Sequence, residues 1–279
     1  MKQFSAGKEL SIYLKDVRKQ GLKTGFVATM GALHKGHIAL IEQAKKENDL
    51  VICSIFVNPL QFNRKEDLEK YPNRIKDDKA LLEQGGCDIL FTPYKEDMYP
   101  REPNLSFNFG SIGKGMEAEY RPSHFEGVAA VINRFFELLN PDKAYFGEKD
   151  YQQLAIVRWL AKEKRFNTEV VGCKTIRFEN GLAMSSRNFL LAEAEFETAA
   201  EIYQVLEFCK ENRSSYSPNE LAAKCFKMLS ENFDPEYFII ADELTMKPLS
   251  DWSESKNPRA FVAAYLSTVR LIDNLSLNP

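Results

Sequence analysis

"TGFVATMGALHKGHIALIEQAKKENDLVICSIFV", residues 24–57, decides the fold. It opens with a short apolar run, residues 24–31, that breaks at a glycine turn. "HIALIEQAKKEN" follows, with Ile38, Ile41 and Ala44 at helical spacing. "DLVICSIFV" is then a continuous apolar run rich in β-branched residues, as in a parallel strand buried on both faces. Strand, helix, strand in this order is the repeating unit of a parallel sheet wrapped by helices.

The same alternation extends outward. Before it, "SAGKELSIYLKDVRKQG" places Leu10, Tyr13, Leu14 and Val17 on one helical face, and Gly21 ends the helix. After it come a helix in "DDKALLEQGG", a strand in "CDILFTP", an apolar helix in "VAAVINRFFELL", a strand in "KAYFGEKD", a helix in "YQQLAIVRWLAKEKR" and a strand in "TEVVGCKTI". This predicts a doubly wound, Rossmann-like α/β domain over residues 1–175. The rest reads differently. "EAEFETAAEIYQVLEFCKEN" predicts one long amphipathic helix. Ser217, Pro218 and Glu220 form a capping box with proline at the first helical position. "YFIIAD", "AFVAAYL" and "VRLIDNL" are strand-like with no helix between them. Residues 176–279 therefore predict a smaller α+β domain, joined by a short hinge near "GCKTIRFENG".

Composition bounds the function. The 279 residues carry 37 basic and 40 acidic side chains, a formal net charge of −3, which argues against a sequence-independent grip on nucleic acid. The five cysteines form no C-x-x-C pair, and most of them read as buried free thiols in a reducing compartment. Neither a signal-peptide run nor a membrane-spanning run is present, so a soluble cytoplasmic protein is the expectation.

His34 and His37 stand where the first strand gives way to a helix. Ligands of open α/β sheets bind at the carboxyl ends of the strands, and a helix N-terminus attracts anions. Two imidazoles three residues apart share one face and can donate to phosphate oxygens. The same residues also suit a structural turn with two surface histidines, and both readings stand on position alone. Zinc is disfavoured, because only His124 remains as a further histidine. Other strand ends add candidates. Asn58 and Gln61 in "SIFVNPLQF" offer amides for a small polar substrate. Gly147, Glu148, Lys149 and Asp150 combine close backbone approach, a point charge and an acceptor for a ribose hydroxyl or a metal. Ser185, Ser186 and Arg187 in "NGLAMSSRN" can wrap a polyphosphate. Each loop is also readable as a solvated turn. No nucleophile–base elbow, Walker loop or G-x-G-x-x-G is present.

With those segments in order, the chain resembles the pantothenate synthetase (pantoate–β-alanine ligase) family along nearly its whole length. "TMGALHKGH", "SIFVNPLQF", "RPSHFEGV", "FGEKDYQQL" and "GLAMSSRN" carry the resemblance. H-x-G-H alone marks only the wider nucleotidyl-transferase superfamily. The resemblance implies that pantoate is adenylated by ATP with loss of pyrophosphate, and that β-alanine then displaces AMP. It implies catalytic roles for His37, His34 and Lys149. It implies an ATP site of Met30, Gly31, Ala32, Leu33, His34, Lys35, Gly36, His37, Gly147, Glu148, Lys149, Asp150, Ile176, Met184, Ser185, Ser186 and Arg187. Gln61 and Gln153 would hold pantoate, Gln61 would also face β-alanine, and Asn58 would belong to the same substrate site. Mg²⁺ is implied by ATP, with Asp77 and Asp78 as the acidic pair that would hold it. A homodimer is implied, with no nucleic-acid or membrane partner, and so is a lid from the smaller domain that keeps water from the acyl-adenylate. The sequence departs from the family at Ala28, Ser123, Glu126 and "RFENG". A transferase acting on another acceptor, or a non-catalytic nucleotide sensor, would share the same loops.

Overall fold

A computed structural model describes residues 1–62, 68–69, 71–103 and 105–278. The first half contains β1 (Lys2–Phe4), α1 (Gly7–Lys19), β2 (Thr24–Thr29), α2 (Lys35–Glu47), β3 (Leu50–Ile55), α3 (Ile75–Gln84), β4 (Ile89–Phe91) and α4 (Lys95–Met98). Then come α5 (Met116–Tyr120), α6 (His124–Leu139), β5 (Lys143–Gly147), α7 (Tyr151–Glu163) and β6 (Glu169–Cys173). The last hundred residues add α8 (Glu193–Ala199), α9 (Glu201–Glu211), α10 (Pro218–Leu229), β7 (Asp234–Asp242), β8 (Pro258–Leu266) and β9 (Val269–Ser276).

Six strands form one sheet in the order β1-β4-β3-β2-β5-β6, and every pairing in it is parallel. The chain winds from β2 through β3 to β4, then returns to lay β5 on the other side of β2. That reversal is a topological switch point, where the carboxyl ends of β2 and β5 lie side by side and their following loops diverge. Val27, Ile41, Ala44, Val51, Cys53, Leu82, Leu90 and Tyr145 share one buried cluster, which explains the unbroken apolar run of the central strands. A second sheet, β7-β8-β9, is antiparallel. Its inner face packs Phe238, Ile240, Ala260 and Val262 against Ile202, Leu206, Leu221 and Cys225 of α9 and α10. The fold class expected from the sequence is therefore present in both parts.

By internal packing the chain divides into two compact units. One contains Met1–Asn108, Arg121–Glu148 and Gln153–Lys174; the other contains Phe109–Tyr120, Lys149–Gln152 and Thr175–Pro279.

Two details differ from the sequence reading. β1 is a sixth strand that the pattern did not announce, since three residues are too few to show a period. The long helix expected over 193–212 is two helices separated by Ala200. There the Ala200 N–H donates to Glu197 O at 3.1 Å, a tightened three-residue turn that closes α8. The capping box of α10 forms as read: Ser217 N–H donates to Glu220 Oε2 at 3.0 Å, and Glu220 N–H donates to Ser217 Oγ at 3.4 Å.

The cysteines are free thiols, four of them buried and Cys173 half-buried. Burial pushes the thiols of Cys87 and Cys173 up to about 11, so they stay protonated and unreactive at neutral pH. Among the described residues, no helix is long and apolar enough to cross a membrane.

The second unit contains a buried ion cluster. Arg270 of β9 donates to Glu117 Oε1 and Oε2 at 2.6 and 2.8 Å and to Glu236 Oε2 at 2.7 Å. Tyr237 OH donates to Glu117 Oε1 at 3.0 Å. The cluster ties α5 to the antiparallel sheet of its own unit. Arg270→Ala would leave both carboxylates without their cation and should cost about 3–5 kcal/mol, measured by urea unfolding.

Candidate active site

The loop after β2 is built on an unusual backbone. Gly31 and Ala32 both have positive φ, 85° and 51°. A side chain at Gly31 would crowd Asp78 Oδ2 at 3.0 Å and Ile55 Cγ2 at 3.2 Å. Asp78, in the first turn of α3 and only 1% exposed, accepts the Ala32 N–H at 3.0 Å on one oxygen and the Leu33 N–H at 2.7 Å on the other. The carboxylate thereby holds the left-handed turn that aims the chain into α2. The Leu33 side chain joins the core cluster and anchors the same loop from its apolar side.

The two histidines then cap α2 reciprocally. His34 is the N-cap, and its Nδ1 accepts the Gly36 N–H at 3.1 Å. His37, three residues on, accepts the His34 N–H on its own Nδ1 at 3.3 Å. The ring centroids lie 4.1 Å apart. An imidazole that accepts on Nδ1 carries its proton on Nε2. Both rings therefore have the tautomer that donates from Nε2, at the positive end of the α2 dipole. Lys35 between them is exposed, whereas Met30, Gly36 and both rings are half-buried.

The 3₁₀ turn after β3, Pro59–Gln61, is capped by Asn58, whose side chain is 1% exposed. Asn58 Oδ1 accepts from Leu60 N–H at 3.2 Å and from Tyr99 OH at 2.6 Å. Asn58 Nδ2 donates to Gln61 Oε1 at 3.1 Å and to Gly127 O at 3.0 Å. Gln61 Nε2 donates to Met30 Sδ at 2.8 Å, and His124 Nδ1 lies 3.0 Å from Gln61 O. Glycine is required at position 127, because a Cβ there would run into the backbone of Leu60 and Gln61. α6 can thus lie directly on the turn. Asn58 has partners inside the protein on both ends of its amide, so it frames the turn. Gln61 is the amide of the pair whose donor edge, among the described residues, faces a weak thioether acceptor.

β5 ends at Gly147 and continues into a 3₁₀ turn, Glu148–Asp150. A Cβ on Gly147 would meet no atom of the described residues beyond its chain neighbours within 4 Å, so among them open space lies beside this backbone. Gln153 is half-buried in the first turn of α7, and its side chain makes no hydrogen bond to another described residue.

In the second unit, the Lys149 side chain is 16% exposed and its Nζ lies 3.9 Å from Asp150 Oδ2, while the Lys149 carbonyl accepts from Asn274 Nδ2 at 2.8 Å. Residues 176–187 form a hairpin-like loop: Met184 N–H donates to Ile176 O at 2.9 Å, and Arg177 pairs with Ala183. Arg177 secures it, donating to Asp273 from two nitrogens at 2.5 and 3.0 Å and stacking 3.9 Å over the Tyr203 ring. Ser185 caps the turn Ser186–Leu190, with its Oγ accepting the Arg187 N–H at 3.3 Å. Arg187 Nη1 donates to Arg270 O at 3.0 Å.

Residues 2–276 match the family model described as pantoate–β-alanine ligase. The chain belongs to this family. A pantothenate synthetase of Cytophaga hutchinsonii is 41% identical over 271 residues, 96% of each chain. One from Bacteroides thetaiotaomicron is 40% identical over 281 residues, 99% of this chain and 98% of the relative. The solved pantothenate synthetase of Thermus thermophilus superposes with a TM-score of 0.91 at 41% identity, covering all of both chains. The Francisella tularensis pantoate–β-alanine ligase, solved with an ATP analogue and β-alanine, gives 0.80 at 36% identity over 99% of this chain and 98% of its own.

Within this chain the expected sites divide between the units. Met30 to His37, Asn58, Gln61, Gly147, Glu148 and Gln153 belong to the first unit; Lys149, Asp150, Ile176 and Met184 to Arg187 belong to the second. The acidic pair put forward for Mg²⁺ does not fit a shared cation. Asp77 pairs with Arg74 at 3.2 Å, and both oxygens of Asp78 are occupied by loop amides. No group of three or more His, Cys, Asp or Glu side chains suited to a metal occurs among the described residues. Tyr99, Gly127 and Arg177 carry supporting roles that no motif spacing announced. Asp78→Asn would turn an acceptor into a donor facing one of the two loop amides. It should cost about 1–3 kcal/mol and speed hydrogen exchange at Ala32 and Leu33, read by NMR.

Proposed function

We propose that this chain condenses pantoate with β-alanine, using ATP, through a pantoyl-adenylate that later releases AMP. The observation that carries this reading is the reciprocal cap of His34 and His37 on α2, beside the switch point of the sheet, in a chain of the pantoate–β-alanine ligase family.

A carboxylate oxygen of pantoate attacks the α-phosphorus, and the bond to the β-phosphate oxygen breaks with loss of pyrophosphate. The nucleophile is already charged, so the enzyme's work is alignment and charge stabilisation rather than proton removal. His37 Nε2–H donates to the reacting phosphate, His34 supports it, and the α2 N-terminus adds its dipole. Lys149 supplies a point charge to the phosphates. The open space beside Gly147 suits close approach of a nucleotide to backbone, and Glu148 and Asp150 flank it. Ile176 contacts adenine, and Met184, Ser185, Ser186 and Arg187 hold the triphosphate. Gln61 and Gln153 hold pantoate, while Asn58 frames the Gln61 turn. In the second step the amine of β-alanine attacks the acyl carbonyl and AMP departs. Mg²⁺ is assigned as the companion of the ATP phosphates, whose oxygens suit a hard cation, and no step is assigned to it. Free, protonated thiols suit a cytoplasmic setting, and the family resemblance supports a homodimer.

Incubation with ATP, Mg²⁺, pantoate and β-alanine should yield AMP, pyrophosphate and pantothenate. His37→Ala and Lys149→Ala should each lower kcat by about 10²-fold or more. ATP binding without turnover would mark a nucleotide sensor. AMP transfer to a different acceptor would mark another transferase.

A further inference from the structure

A carboxamide has two unlike edges, one donating and one accepting, and a chain of hydrogen bonds decides which edge Gln61 turns outward. The chain starts at Tyr99. Burial pushes its phenol well above the ordinary range, so the hydroxyl keeps its proton and donates. It donates to Asn58 Oδ1 at 2.6 Å, and Leu60 N–H reinforces the same oxygen at 3.2 Å. With Oδ1 fixed, Asn58 must send its NH₂ the other way, to Gly127 O at 3.0 Å and Gln61 Oε1 at 3.1 Å. The accepting edge of Gln61 is thereby taken. Its NH₂ faces Met30 Sδ at 2.8 Å, a weak acceptor that is readily exchanged for a carboxylate or hydroxyl oxygen.

We infer that Tyr99 is a positioning residue which, through Asn58, locks Gln61 with its donor edge outward, so that this turn selects the oxygens of the hydroxy acid and not the ammonium of the amino acid. The inference deepens the reading above and rests on Gln61 as a substrate residue. Tyr99 touches no substrate itself; its ring lies 6.1 Å from that of Phe56 and adds to the packing behind the turn.

Tyr99→Phe keeps the ring and removes only the donor. The Michaelis constant for pantoate should rise about tenfold, while that for ATP and the melting temperature stay near the parent values. The Gln61 side-chain NH₂ resonances, assigned by their loss in Gln61→Glu, should shift in the substrate-free variant. Asn58→Asp, which cannot donate to Gln61 Oε1, should raise the pantoate constant further. A pantoate constant within about twofold of the parent, or a lowered melting temperature with no change in that constant, would overturn the inference. So would unmoved Gln61 resonances. If the parent protein makes no pantothenate, the functional reading fails, and the resonance measurement still decides the orientation of Gln61.

Discussion

Asp78 accepts the amide hydrogens of Ala32 and Leu33, and the placement of both histidines follows from those two bonds. The turn they hold is one the chain resists: Ala32 sits at positive φ, a conformation that costs about 1 kcal/mol or more for a residue with a Cβ. Charge-assisted bonds to backbone amides, about 1.5–3 kcal/mol each, are enough to offset it. The carboxylate comes from the first turn of α3, a later strand–helix unit, so the geometry of the β2 loop depends on a residue 45 positions downstream. This explains why Asp78 is almost wholly buried although it is charged: both its oxygens are satisfied by the loop it supports.

The sheet order gives that loop its neighbours. Because β5 lies beside β2, the turn that carries the histidines and the open backbone at Gly147 issue from adjacent strands. The 3₁₀ turn of Pro59–Gln61 follows β3 on the other side of β2. Three loops from three adjacent parallel strands therefore emerge at one edge of the sheet, and the first and third are braced by side chains behind them. The amide of Asn58 and the bare face of Gly127 brace the third; a larger residue at 127 would push α6 off the turn.

Much of this was legible from the residues because it is periodic or local. The central strands announce themselves as apolar runs, α2 by its spacing, α10 by its cap, and the antiparallel sheet by three strand patterns without helices between them. What escaped is non-local. Asn58 reads in sequence as an amide offered to a substrate, yet its partners Tyr99 and Gly127 lie 41 and 69 residues away, and only the folded chain shows its amide committed. The family resemblance assigns Asp78 to an acidic pair for a cation, and nothing in its spacing reveals the two amides it receives. β1 is too short for a pattern, and the break at Ala200 has neither proline nor glycine to mark it. The histidines stand at the strand–helix junction that their neighbours in sequence imply. Their mutual capping, which settles the tautomer, is a matter of side-chain rotation that a string of letters does not contain.

The second unit is assembled from three separate stretches, so the polypeptide alternates between the two units through six consecutive segments. One of those stretches supplies Glu117, which with Glu236 neutralises Arg270. A gene fragment beginning at the hinge would keep Glu236 beside Arg270 but lose Glu117, and it would lose both the 109–120 stretch and Gln152, which donates to the carbonyls of Ile112 and Lys114. The smaller body is therefore not one continuous run of sequence: any single cut that isolates residues 175–279 leaves out two of its three stretches.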